Sequence, residues 1–125
     1  MEDPFRDTRL IVADLLHHVL RSGHSAFAEL PFMEGVEVIV IVTAIYSAER
    51  RGETFTKRGL SIHLGMPRPT LLRRLAYLES KGLVQRDAEG LRINPQMFEA
   101  ISDENIRGLR EMIIDAGTAL SAVET

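Results

Sequence analysis

The side chains that could do chemistry in this sequence are cationic, and they are unevenly placed. Residues 50–92 hold ten of the fifteen Lys and Arg side chains and only four carboxylates, a local charge of +6 inside a chain of net charge −3. Salt limits the reach of an exposed charge to about 10 Å. A cationic segment therefore attracts phosphate even though the rest of the chain carries −9. To use that charge, the chain needs a rigid element that presents guanidinium groups at fixed spacing. Arg68, Pro69, Thr70, Arg73, Arg74 and Tyr77 lie on a stretch whose Leu71, Leu75 and Leu78 recur at helical steps of three and four. Turning those leucines inward points Thr70, Arg73 and Tyr77 outward. Arg68 and Pro69 then sit at the leading end and Arg74 on the flank. Lys57 and Arg58 open the preceding element, and Arg86 and Arg92 follow in a short β segment.

Other chemistries find little support. Ser61 and His63 are two residues apart and do not face each other on a helix. There is no glycine-rich phosphate loop and no zinc-hydrolase motif, so no enzyme and no cofactor is expected. The sequence has no cysteine, which excludes disulfides, thiolate zinc sites and thiol nucleophiles. His17 and His24 share a face only if a helix continues through Gly23, so no metal site is expected there, and His63 reads as a surface residue. Met66, Met97 and Met112 read as fillers of the core or of an interface. The longest apolar run, Val38 to Val42, is far short of the about 20 residues a membrane span needs. Glu2 and Asp3 open the sequence with no basic-then-apolar segment, so no secretory leader and a cytoplasmic location are expected.

The elements that must position these residues follow from periodicity. Residues 7–21 read as a helix with Leu10, Ala13, Leu16, Val19 and Leu20 on its apolar side, ending at Ser22-Gly23 and followed by a loop over 24–33. Within residues 35–51, Val36, Val38, Ile39, Val40, Ile41, Val42 and Ile45 are β-branched and locally favour strand. The run is too long for one and closes on Ala48, Glu49, Arg50 and Arg51, so a buried central helix is expected. Residues 55–65 form a short helix capped by Thr56. Residues 68–81 form the next, stopped by Gly82. Leu83 to Arg86 and Gly90 to Ile93 read as a hairpin about the turn Asp87-Ala88-Glu89-Gly90. Asn94-Pro95 breaks the pattern. A short helix over 96–100 and a longer one from Ser102 toward Val123 follow, the latter with Ile106, Leu109, Ile113, Ala116 and Leu120 on one face.

Two helices joined by a tight turn and followed by a hairpin describe a winged helix-turn-helix. The turn can be checked residue by residue. Gly65 supplies the left-handed backbone that such a turn requires. Leu60 and Leu64 stand where the first helix must bury side chains, and Ser61 is small where the second helix crosses. Met66 follows the glycine and Leu71 is buried beyond it. The last apolar position falls on Arg74, which does not fit, with Leu75 adjacent.

The arrangement Leu64-Gly65, Thr70, Arg73, Leu78-Glu79, Lys81-Gly82-Leu83-Val84, Arg86 resembles the MarR-type winged-helix regulators of bacteria. The resemblance covers roughly residues 36–93. It departs from the family in its hairpin tip, which is the short Asp87-Ala88-Glu89-Gly90, and in the somewhat short chain. It implies a mainly α fold with a small β-hairpin wing (α+β), in which residues 34–94 form the DNA-binding module. Residues 1–33 and 95–125 would supply dimerisation helices.

The function expected on this basis is sequence-specific binding of double-stranded DNA by a homodimeric transcription regulator, a repressor. Helix 68–81 would enter the major groove. Arg73 suits base contact, because a guanidinium pairs bidentately with guanine. Arg68 and Arg74 suit phosphates, Thr70 a base or a phosphate, and Lys57 and Arg58 the backbone at the groove edge. Arg86 and Arg92 would flank the wing, while Glu89 at its tip repels phosphate. Two half-sites would lie about 34–36 Å apart. A small-molecule effector held between the terminal helices and the module is allowed by the family resemblance alone. The alternative is a winged-helix module that binds protein and no DNA.

Overall fold

The computed structural model describes residues 3–123. Among them lie five helices and one two-stranded antiparallel hairpin, a mainly helical α+β arrangement. The helices are α1 (Arg6–Ser25), α2 (Phe32–Arg50), α3 (Lys57–Leu64), α4 (Arg68–Ser80) and α5 (Pro95–Ser121), and the strands are β1 (Val84–Asp87) and β2 (Gly90–Ile93). No helix among the described residues is long and apolar enough to cross a membrane.

α2 is the centre. Its β-branched residues are overridden by packing on several sides at once, and Val38, Ile41, Val42 and Ile45 are buried in one cluster with Leu60, Leu71, Leu75, Leu78, Leu83 and Leu91. Each of these leucines, taken fully out of water, contributes roughly 1.5–3 kcal/mol. The burial is not complete all round α2, since Phe32, Met33 and Val40 stay exposed.

α1 runs four residues past its expected end, through Gly23 to Ser25. The glycine is there for clearance. A Cβ on Gly23 would lie 2.7 Å from Ile39 Cδ1, and one on Gly35 would lie 2.7 Å from His24 Cδ2. The absence of two side chains lets α1 and α2 close on each other. The expected loop over 24–33 thus shrinks to residues 26–31. His24 meets the carbonyl of Leu30 at 2.8 Å and packs edge-on against Phe32.

α5 is also longer than expected. It runs unbroken for 27 residues, and Asn94-Pro95 starts it. Asn94 Oδ1 accepts from the N–H groups of Gln96 and Met97, and Pro95 occupies a first-turn position where no N–H is needed. Ser102, read as a starting point, lies in mid-helix with its hydroxyl bonded back to the Phe98 carbonyl at 2.6 Å.

α1 and α5 pack on each other, yet neither has a fully buried residue. The half-buried aliphatic side chains of α1 are Ile11, Leu15 and Val19. Four of the five residues of the expected stripe lie outside: Ala13 is exposed, Leu10 is 61% exposed, Leu16 57% and Leu20 39%. On α5, Leu109, Met112 and Ala116 are half-buried, while Ile106 and Ile113 are more than half exposed. Each helix carries apolar residues beyond what the other covers.

Candidate nucleic-acid interface

The interface is built around the α3–α4 corner. Thr56 caps α3 by accepting from the Gly59 N–H at 3.0 Å. Gly65 ends it with φ +64, the left-handed conformation expected of it. Ser61, expected only to be small, also donates its hydroxyl to the Met66 carbonyl at 2.7 Å and so ties the last turn of α3 to the corner. Pro67 precedes α4, Pro69 lies in its first turn, and Leu71, Leu75 and Leu78 are almost wholly buried.

With that side of α4 inward, Arg68, Pro69 and Arg73 are exposed and Thr70 is half-buried. Arg58 is exposed and Lys57 half-buried on α3. Among the described residues none of these four cations takes part in an ion pair.

The remaining predicted residues are placed differently. Arg74, expected on a phosphate, is bound by two carboxylates of α2. Its Nη2 lies 3.2 Å from Glu34 Oε1 and 3.3 Å from Glu37 Oε1, and its side chain is only 14% exposed. Arg74 is thus engaged inside the fold, which also explains why the apolar pattern failed there. A half-buried ion pair on the first turns of α2 stands where the turn pattern has a hydrophobic contact. Tyr77 faces away from solvent duty as well. Its hydroxyl is bonded to Glu29, in the α1–α2 connection, and Lys81 Nζ lies 3.0 Å from the same carboxylate. The Tyr77 bond, the backbone and Lys81 together hold the Glu29 carboxyl down from its ordinary 4.5 to about 2, while burial and Glu29 push the Tyr77 phenol up.

The hairpin arginines are also engaged. The register pairs Val84 with Ile93 and Asp87 with Gly90, so strand pairing reaches one residue further toward the tip than expected. Asp87 closes the turn by accepting from the N–H groups of Glu89 and Gly90 at 2.8 and 3.1 Å. Those bonds and Arg92 hold its carboxyl below the usual carboxylate range. Arg92 donates Nε to Asp87 at 3.1 Å and Nη2 to Glu89 at 2.6 Å. Arg86 Nε lies 3.0 Å from Glu79 Oε1, a buried oxygen with no aligned hydrogen bond, so that contact acts through charge.

Two contacts seat the hairpin. Glu49 of α2 accepts from the Ile93 N–H at 2.8 Å. The Phe55 carbonyl accepts from the Leu91 N–H, also at 2.8 Å, so the segment before α3 lies alongside β2. Gly90, at φ +145, allows this approach, because a Cβ there would stand 2.4 Å from the Phe55 oxygen.

Among the described residues no group of three or more His, Cys, Asp or Glu could hold a metal. The helix does continue through Gly23, contrary to the premise used for His17 and His24, but His24 is occupied by Leu30 and Phe32. An apolar cavity of about 140 Å³ lies between α1, α2 and α5, lined by Phe27, Ile39, Val42, Leu83, Phe98 and Ile101 among others.

No protein-family model, no curated protein and no solved structure matches the chain.

Proposed function

We propose that the chain is a winged helix-turn-helix transcription regulator of MarR type that binds double-stranded DNA through the N-terminal turns of α3 and α4. The observation that carries this reading is the division of α4. Leu71, Leu75 and Leu78 anchor one side in the core, and Arg68, Thr70 and Arg73 stand on the other, with no carboxylate among the described residues on either guanidinium. Arg73 reads a base, Thr70 assists, and Arg68, Lys57 and Arg58 hold phosphates. Arg74, Tyr77, Arg86 and Arg92 leave the contact set, since each already has an internal partner.

The partly uncovered apolar residues of α1 and α5 support a homodimer in which a second copy covers Leu10, Leu16, Ile106 and Ile113. Such a dimer would place two α4 helices on successive turns of one duplex and act as a repressor by occupying a promoter. The apolar cavity beneath α5, about 140 Å³, would admit an effector no larger than a single small ring. A cytoplasmic location belongs to the same reading.

The test is a binding titration on duplex DNA at several salt concentrations. Affinity falls steeply with salt, with a slope set by the phosphates neutralised. Arg73→Ala costs about 1–3 kcal/mol of discrimination between the preferred and a random sequence, while Lys57→Ala weakens both alike. Salt-independent binding, or none, would favour the second reading, a protein-interaction module. That reading draws on one observation: the acidic hairpin tip and its paired arginines offer DNA nothing.

A further inference from the structure

The hairpin holds two of the arginines on which a winged-helix contact would ordinarily depend, and both are turned to other partners. We infer that Asp87 and Glu89 act as negative determinants of DNA contact: they hold Arg92 onto the hairpin, keep the tip anionic, and confine the interface to α3 and α4. This rests on the DNA-binding reading above and specifies which part of the module touches the duplex.

The geometry supports it at three points. Arg92 is held on two of its nitrogens by two different carboxylates, Nε by Asp87 and Nη2 by Glu89. A guanidinium held at two points in this way must lose both contacts before it can reach outward. The Asp87 carboxylate is itself fixed, because its Oδ1 accepts two backbone N–H groups of the turn while its Oδ2 takes Arg92. It cannot swing away with the arginine.

The third point is the cost left behind. The tip is Asp87-Ala88-Glu89, and all three residues are exposed. If Arg92 left for a phosphate, two uncompensated negative charges would remain at the end of the hairpin beside a polyanion. Electrostatics therefore opposes the exchange in both halves. Arg86 does not alter this balance. It sits on β1 against Glu79 of α4, and the two strands together carry two arginines and two carboxylates when the turn is counted in.

The experiment is a fluorescence-anisotropy titration of labelled duplex across a range of salt concentrations. It uses the full chain and the variants Arg92→Ala, Asp87→Asn with Glu89→Gln, and Arg73→Ala. Asparagine at 87 keeps an oxygen for the turn N–H groups, and a thermal melt of each variant checks folding. Arg92→Ala is expected to keep the salt slope of the parent and to bind no more tightly, since it bares the two carboxylates without removing a phosphate contact. The double variant is expected to bind about fivefold or more tightly, with a slope steeper by about 1 per subunit, as each Arg92 gains a phosphate. A slope shallower by about 1 per subunit in Arg92→Ala would overturn the inference, because the arginine would then already be on the DNA. An unchanged double variant would overturn it too. Parent protein that shows no salt-dependent binding would instead remove the DNA-binding reading itself, and Arg73→Ala, which weakens binding only if that reading holds, separates the two failures.

Discussion

Two regions of the module carry the same residue type and use it in opposite ways. At the leading ends of α3 and α4, Lys57, Arg58, Arg68 and Arg73 have no carboxylate partner among the described residues. Along the rest of α4 and in the hairpin, Arg74, Lys81, Arg86 and Arg92 are all paired. Arg73 and Arg74 are adjacent in sequence and belong to different regions. The difference comes from the 100° step between them, which turns one side chain to solvent and the other to the first turns of α2. A basic segment is thus two things at once, a surface and a set of internal ties. Only side chains without ties are free to meet a ligand.

This contrast can be broken in order of expected effect. Leu71 is shared by both regions, since it holds α4 in place for each. Leu71→Ala removes a wholly buried side chain and is expected to cost about 2–5 kcal/mol, read by denaturant unfolding. A smaller loss would mean that the neighbouring leucines close the gap.

Removing the carboxylates from Arg74 comes next. Glu34→Ala with Glu37→Ala leaves a half-buried guanidinium without its acceptors, for a loss of about 1–3 kcal/mol. Arg73→Ala, one residue away and exposed, is expected to change stability by less than about 0.5 kcal/mol. Equal losses from the two changes would erase the distinction between tie and surface.

The smallest effect is a pH dependence. The Glu29 carboxyl titrates lower in the folded chain than its ordinary 4.5, at about 2. The unfolded chain therefore binds the proton first as pH falls, and the Glu29 contribution is full above about 4.5 and fades toward about 2. Glu29→Gln is expected to melt below the parent at neutral pH, and the gap should close across that acid window. A gap that persisted unchanged down to pH 2 would show that the carboxylate charge is not what Tyr77 and Lys81 recognise.

Much of the α3–α4 corner was legible in the sequence because its determinants are local. Thr56, Leu60, Gly65, Leu71 and Leu75 act on neighbours a few positions away, and their spacing reports their roles. Helix ends were less legible where tertiary packing decides them. Gly23 reads as a stop but serves as clearance for Ile39, and Ser102 reads as the start of a new helix but bonds back within α5. The ties were not legible at all. Glu29, Glu34 and Glu37 reach Tyr77 and Arg74 across 37 to 48 positions, and a charge count along the chain cannot bring distant segments together. The terminal helices misled for another reason. Each carries more apolar residues than a single packed stripe requires, so periodicity alone could not say that Ile11 and Leu15 would turn inward while Leu10 and Leu16 stayed out.

The placement of Glu29 has a mechanical consequence. It sits in the short connection between the two N-terminal helices, where His24, Gly23 and Gly35 already lock those helices together. Through Tyr77 and Lys81 it clasps the far end of α4, while Glu34 and Glu37 clasp its middle through Arg74. α4 is thereby geared to that corner at two stations along its length. Sliding or rolling α4 against that corner would break contacts at both stations, so the position of Arg73 is tied to how the two N-terminal helices are set.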